Sequence, residues 1–295
     1  MTIHLRNRLV AIFILLFPFL LFCGFLVHEL DGPLPPLPPP PNPNGYDDLV
    51  KAGGMVSSNS WNDAVLTGKP LRDSVAANAA ALALARTALG TPCQVPLQFS
   101  LPDLDRHLSD LTDLKRLAQA FVAEGRWAEA EARYHDAVSS YLDLLHLGND
   151  SAQGGIVIDA LVSTAINMTG TAQLQKISNQ LDAKTCREAA VTLETLNARQ
   201  PSWADVLQQE HAWSRRTFPG IRYRLGELLM HSSLRKARET AGQKFAEREK
   251  QTRQLTLDLA ARAYELEKGH RPASPGDLVP DYLKAVPLDI NGERK

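Results

Sequence analysis

The sequence predicts an all-α protein with an N-terminal transmembrane helix, a proline-rich stalk and an irregular helical-bundle domain. Three observations lead to this fold class. Residues 9–27 are apolar and carry no charge. Residues 32–45 contain eight prolines. In the remainder, apolar residues recur at steps of three, four and seven, as at Leu255, Leu259 and Leu266, which is the spacing of one helix face.

Residues 9–27 have the properties of an uncleaved membrane anchor. Nineteen helical residues extend roughly 28 Å, which is close to the thickness of a bilayer core. A buried core helix would show a polar face, and a cleavable signal peptide has a shorter apolar region and a small-residue cleavage site. Cys23-Gly24 resembles a lipoprotein site, but Phe22 is bulky where that site has a small residue. We therefore favour an anchor over a lipoprotein or a cleaved signal.

Charges beside the anchor predict its orientation. Arg6 and Arg8 precede it, and no further Lys or Arg occurs before Lys51. The positive-inside rule places residues 1–8 in the cytoplasm and the main domain outside. In a bacterium this predicts a single-pass protein of the inner membrane with a periplasmic domain, whose first partner is the lipid bilayer.

The proline-rich segment forms a linker over residues 28–45. Proline favours the polyproline II form, so the fourteen residues from Gly32 to Gly45 would extend roughly 40 Å at about 3.1 Å each. We favour a spacer over a ligand for a proline-binding domain. The helical domain then covers residues 46–268, and a proline-pinned C-terminal tail covers residues 269–295.

Composition limits the partners and the redox chemistry. The chain has 32 Lys and Arg against 33 Asp and Glu, so it lacks the basic surplus typical of a nucleic-acid binder. Cys93 and Cys186 fall in the outer domain. In an oxidising compartment they could form a disulfide, or they could be two separate buried thiols.

Residues 111–144 predict two amphipathic helices that meet at Glu124-Gly125-Arg126. This stretch resembles one tetratricopeptide repeat, because eight residues fall on signature positions of the 34-residue pattern: Leu117, Ala118, Phe121, Gly125, Trp127, Ala130, Tyr134 and Ala137. The resemblance implies a helical hairpin, with Phe121, Trp127 and Tyr134 as a candidate interaction surface. Leu142 replaces the usual proline, and no second copy follows, so a peptide-binding groove is not implied.

The C-terminal tail resembles that of type II secretion pseudopilins. It has a helix, G-x-x-P, a short "LV" helix, "YL" and "VP-x-D" before a glycine. The resemblance implies an accessory part of a secretion or pilus-like assembly. However, about 200 residues separate the tail from the anchor, and residues 9–27 lack the glutamate of that family. The whole organisation also resembles bacterial single-anchor helical envelope proteins with no assigned activity.

Catalytic and metal-binding motifs are absent. The chain has no G-x-S-x-G, H-E-x-x-H, phosphate-loop or dinucleotide fingerprint, so we predict no cofactor. Glu131 and His135, at i and i+4, are better explained as a polar helix face than as a metal pair. Asp281 and Asp289 occupy the place of the pseudopilin calcium loop, but no metal site is assigned, since calcium needs six to eight oxygens.

Two function classes remain open besides the accessory role that the tail resemblance implies. The first is a non-catalytic envelope protein that acts through protein contacts. The second is a cell-envelope enzyme whose site would gather polar groups around Asp159, His135 and His211. Asp159 interrupts the apolar run of residues 154–170, which predicts a central buried helix, and a capped or paired carboxylate is the favoured interpretation.

Overall fold

The computed structural model describes residues 39–57, 66–218 and 230–286, together with residues 17, 18, 21 and 24. The chain forms two compact units, Met1–Pro39 and Pro40–Lys295, and nearly all described residues belong to the second. Their secondary structure is helical and includes no strand, which confirms the all-α prediction. The α-helices in these ranges are α1 Gly45–Met55, α2 Gly68–Ala77, α3 Ala79–Leu89, α4 Leu101–Ala130, α5 Tyr134–Asp150, α6 Val157–Ile177, α7 Ala183–Ala198, α8 Trp203–Thr217 and α9 His231–Lys268.

The predicted anchor lies outside the described residues except at positions 17, 18, 21 and 24, and so does the linker up to residue 38. Among the helices that the structure does describe, none combines the length and the apolar character needed to cross a membrane. The end of the linker is docked onto the helical unit. Asn44 caps α1 by accepting from the Tyr46 N–H at 3.3 Å, and the Gly45 N–H donates to the Pro92 carbonyl at 3.0 Å.

Helices α4 and α5 form the predicted hairpin, but the turn is elsewhere. Glu124-Gly125-Arg126 is a continuous part of α4, and the chain reverses after Ala130 through Ala132, which has a φ of 54°. Gly125 is needed for packing instead: a Cβ at this position would overlap the Tyr141 ring. The placement of the turn at residues 124–126 was therefore wrong, because a glycine can mark a close helix–helix contact as well as a helix end.

The apolar core has two main clusters that share α4 and α5. One joins α1, α3 and α4 around Leu49, Leu82 and Leu114. The other joins α5, α6, α7 and α9, with Cys186 and Leu259 fully buried. Helix α5 contributes to both, so it links the N-terminal helices to the C-terminal ones.

Other glycines and polar residues also decide where helices continue or end. Gly242 does not break α9, because it lies inside the helix where the Trp203 indole packs against it. Asn78 divides the alanine-rich segment into α2 and α3, and its side chain accepts from the Ser57 N–H at 3.0 Å. Residues 174–197 belong to two helices, because the chain turns before Asp182, which caps α7.

The C-terminal tail packs against the helical domain. Gly269 ends α9 with a φ of 77°, and Asp277 accepts from the Ser274 N–H at 3.0 Å at a short 3₁₀ turn, Pro275–Leu278. Leu278, Tyr282 and Leu283 are buried in the same cluster as α7 and α9. The tail up to residue 286 is thus part of the fold.

Candidate functional site

An ion pair between α4 and α6 is the centre of the candidate site. Nε2 of His107 lies 2.8 Å from Oδ1 of Asp159. The Asp159 side chain is fully buried, and that of His107 is 12% exposed. The ring N–H does not point along the line of a good hydrogen bond, so the contact is chiefly electrostatic. His107 comes from the second turn of α4 and Asp159 from the first turn of α6.

Two carboxylates cap the first turn of α6. Oδ2 of Asp159 accepts from the Ile156 N–H at 2.7 Å, and Glu210 of α8 accepts from the Val157 N–H at 3.0 Å. The N-terminal N–H groups of a helix lack intrahelical partners and carry partial positive charge, which favours carboxylates there. The expectation that Asp159 is a capped or paired carboxylate is therefore confirmed, since it pairs with His107 and caps α6.

The pKa of His107 depends on two opposing effects of this arrangement. Burial lowers the pKa of the imidazole, but the Asp159 carboxylate outweighs burial and raises its pKa overall. Nδ1 of His107 has no hydrogen-bond partner among the described residues, so it is available to a molecule near the ring. A buried aspartate that orients a histidine is an arrangement that general acid–base sites also use.

A small surface pocket of about 50 Å³ lies beside His107. By volume it has room for about three or four water-sized groups. Trp213 of α8 forms one wall, and its indole N–H donates to the Gln98 carbonyl at 2.8 Å. Arg106 is held by Asp103 and Gln98, at 2.5 and 2.7 Å. The loop before α4 and the end of α8 thus shape the rim.

Asp110 is a further polar group in the pocket lining, whereas Tyr46 is a buried residue outside that lining. Asp110 lines the pocket one turn after His107, and burial raises its pKa, with Asp113 and Asp47 acting in the same direction. The Tyr46 hydroxyl is buried without a hydrogen-bond partner. Burial raises the pKa of Tyr46, and the negative charges of Asp159 and Asp110 raise it further.

A second histidine–aspartate pair lies at the C-terminal end of α5, away from the turn of the hairpin. Nε2 of His146 lies 3.5 Å from Oδ2 of Asp150, the last residue of α5. Burial raises the pKa of Asp150 to about 7, and Arg199 opposes this only in part. Burial also lowers the pKa of His146. Burial therefore favours the neutral form of both partners.

The structure separates most residues of the predicted enzyme site. His135 and His211 are exposed, and only Asp159 reaches the candidate site. Glu131 lies beyond α4 while His135 belongs to α5, so they do not share one helix. Within the described ranges, no group of three His, Cys, Asp or Glu residues is placed to hold a metal ion. Asp289 lies outside those ranges.

Cys93 and Cys186 are free thiols in this structure, because they pack against different core clusters. Burial raises the pKa of both, to about 11 for Cys186, so both are protonated near neutral pH.

The candidate interaction surface also changes. Phe121 is fully buried, with the Arg86 guanidinium over its ring, so it is a core residue that a partner cannot contact. Trp127 and Tyr134 are half-buried.

Sequence reasoning missed His107 and Tyr46. A usable signal was present, since Asp103, His107 and Asp110 recur at i, i+4 and i+7 and must lie on one face of α4. Tyr46 gave no such signal, because the burial of its side chain depends on how α1 packs.

No protein-family model matches this chain, and no similar protein was found among curated proteins or solved structures.

Proposed function

We propose that this protein is a membrane-anchored, extracytoplasmic helical protein that acts by binding other proteins of the cell envelope. The main support for this proposal is the uncharged segment at residues 9–27, which is preceded by Arg6 and Arg8 and followed by eight prolines. That order favours a domain held away from the outer face of a bacterial inner membrane. The all-α domain supports the proposal, because several of its buried polar groups serve internal contacts, such as the Asn167 amide, which donates to Asn149 at 3.1 Å.

Protease accessibility in spheroplasts tests the topology. Protease added outside intact spheroplasts should digest the domain, and an N-terminal tag should survive, because residues 1–8 would face the cytoplasm. Digestion that occurs only after lysis would refute the proposed orientation.

Affinity capture tests the mode of action. The full-length protein is cross-linked in intact cells and purified from solubilised envelope, beside a control with residues 1–45 fused to an unrelated domain. We expect defined protein partners with the full chain alone. Components of a secretion or pilus-like assembly among them would support an accessory role there, which the tail resemblance implies. Identical recoveries from both baits would exclude partner binding by the helical domain.

The ion pair between His107 and Asp159 beside the pocket favours a second candidate, a cell-envelope enzyme with His107 as general base. The test compares turnover of ester and amide substrates by the wild type and the His107→Gln variant. Turnover that His107→Gln reduces by about 10²-fold or more would support catalysis. Equal turnover by both proteins, or none by either, would exclude it for those substrates.

A further inference from the structure

Arg248 of α9 is a buried charge that forms no ion pair with the described residues. The residue is 2% exposed, yet its Nε and Nη2 atoms are shielded from solvent without a hydrogen-bond partner. Burial lowers the pKa of Arg248 to about 10, so the guanidinium is still protonated near neutral pH. A buried charge without a partner carries a large free-energy cost, which an anion beside it would remove.

The guanidinium is fixed in place by aromatic contacts. Its Cζ lies 4.2 Å from the centre of the Phe245 ring, one turn earlier on α9. The Trp203 indole of α8 packs against Phe245 in turn, with ring centres 5.6 Å apart. The Phe245 ring covers one face of the guanidinium and leaves its edge free. Nε and Nη2 form one such edge, and their parallel N–H groups match the two oxygens of a carboxylate.

The facing part of α6 supplies no acid for this edge. Thr252 of α9 lies 3.5 Å from Thr171 of α6, measured between the two hydroxyl oxygens. Ala160 of α6 packs in one small cluster with Phe245. Arg248 lies between Phe245 and Thr252 on α9, so it faces α6 between these two contacts. That part of α6 contains no Asp or Glu.

Neighbouring charges on α9 also favour an anion of single charge. Glu249 and Arg253 act on Arg248 with opposite effects, and Nη2 of Arg253 lies 3.7 Å from Oε2 of Glu249. Together the three side chains carry one excess positive charge. Both neighbours are partly exposed, which places the guanidinium close to the surface. One carboxylate would balance the excess, whereas a dianionic phosphate would exceed it and would cost more to desolvate.

We propose that Arg248 binds a carboxylate group, which accepts from Nε and Nη2 as a bidentate pair. The carboxylate belongs either to a small free acid or to an acidic side chain of a partner. This inference depends neither on the anchor nor on His107, so its failure would leave the proposed function standing, and the reverse also holds.

Urea unfolding of the full-length protein in dodecyl maltoside micelles tests the proposal. Circular dichroism follows the transition at neutral pH, in sodium acetate or in sodium chloride of equal ionic strength. We expect acetate to raise the urea midpoint of the wild type, because a ligand that binds only the folded state stabilises it. Arg248→Met should show a much smaller rise, which reports the general effect of the salt.

The same variant also tests whether the charge is uncompensated. In chloride alone, Arg248→Met should have a urea midpoint roughly 0.3 M or more above that of the wild type, because it removes the charge and keeps a long apolar side chain. A lower midpoint for Arg248→Met would show that the charge is already balanced within the fold, and would overturn the proposal.

Arg235→Met is the matched control, because the Arg235 side chain is 68% exposed on the same helix. It should keep the acetate response of the wild type. Equal acetate responses in wild type and Arg248→Met would overturn the proposal, and so would a phosphate response that exceeds the acetate response in wild type alone. If N-acetyl-glutamate-methylamide raises the midpoint more than equimolar acetate, the source is a partner's side chain; if it raises the midpoint less, the source is a small free acid.

Discussion

At the scale of single residues, Asp150 should make stability depend on pH. Its pKa is about 7 in the folded protein and 3.8 without the fold. Unfolding therefore releases a proton between these values, and stability falls as pH rises from about 4 to 7. Asp150→Asn removes this dependence, so it should stabilise the protein by up to about 3 kcal/mol more at pH 8 than at pH 5.

Urea unfolding of both proteins at the two pH values measures this difference. Asp105→Asn is a suitable control, since that carboxylate is exposed. The same stabilisation by Asp150→Asn at pH 5 and pH 8 would contradict a raised pKa for Asp150.

Asp159 should contribute far more to stability than an ordinary helix cap. Replacing it with alanine leaves the Ile156 N–H without its acceptor and His107 without its counter-ion. We expect a loss of about 3 kcal/mol or more, as for other broken buried pairs. Asp205→Ala is the matched control: Asp205 also accepts from its cap N–H, at 3.0 Å, but on an exposed helix start. It should cost about 1 kcal/mol. Similar losses in both variants would exclude a special role for the buried pair.

At the scale of elements, Gly125 should tolerate no side chain. A Cβ there would overlap the Tyr141 ring, which is fully buried and cannot move aside. Gly125→Ala should therefore destabilise the protein by about 1–3 kcal/mol, despite the better helix propensity of alanine. Gly54→Ala provides the comparison, because its Cβ would meet only Asp113 Oδ2 at 3.9 Å. That change should be neutral or stabilise by up to about 1 kcal/mol. A stabilising Gly125→Ala would show that α4 and α5 do not pack closely at this point.

Gly125 also illustrates how far the sequence predicts the elements. Periodicity correctly indicated helices across the domain, because the helical repeat depends on local spacing. The boundary at Gly125 was wrong, because packing against Tyr141 decides whether a glycine ends a helix, and Gly242 likewise lies inside a helix against Trp203. Ser202 caps α8 and Gly269 ends α9, and both roles depend on local backbone chemistry that a sequence can indicate.

The candidate site was harder to predict for the same reason. Asp159 could be recognised as a charge within an apolar run, and its capping role follows from its place near a helix start. Its partner, His107, is 52 residues earlier in the chain. No local pattern specifies that α4 and α6 bring these two side chains together, so the pocket emerges only from the fold.

At the scale of the whole molecule, the tail should stabilise the core of the domain. Leu283 is 1% exposed and packs in the cluster that joins α7 and α9, while Glu194 of α7 accepts from the Lys284 and Ala285 N–H groups at 3.0 Å. Leu283→Ala should therefore reduce the free energy of unfolding by about 2–5 kcal/mol. Urea denaturation followed by circular dichroism measures the change.

Lys284→Ala is the control for the tail, because it removes an exposed side chain and keeps the backbone hydrogen bond to Glu194. It should change stability by less than about 0.5 kcal/mol. If Leu283→Ala also changed stability by less than about 0.5 kcal/mol, the tail would not contribute to the stability of the domain. Its apolar residues would then be available to bind a partner, as an accessory role in a secretion assembly would require. A large loss confined to Leu283→Ala would instead mean that the tail's apolar residues are already used in folding, so that any partner must recognise its exposed face.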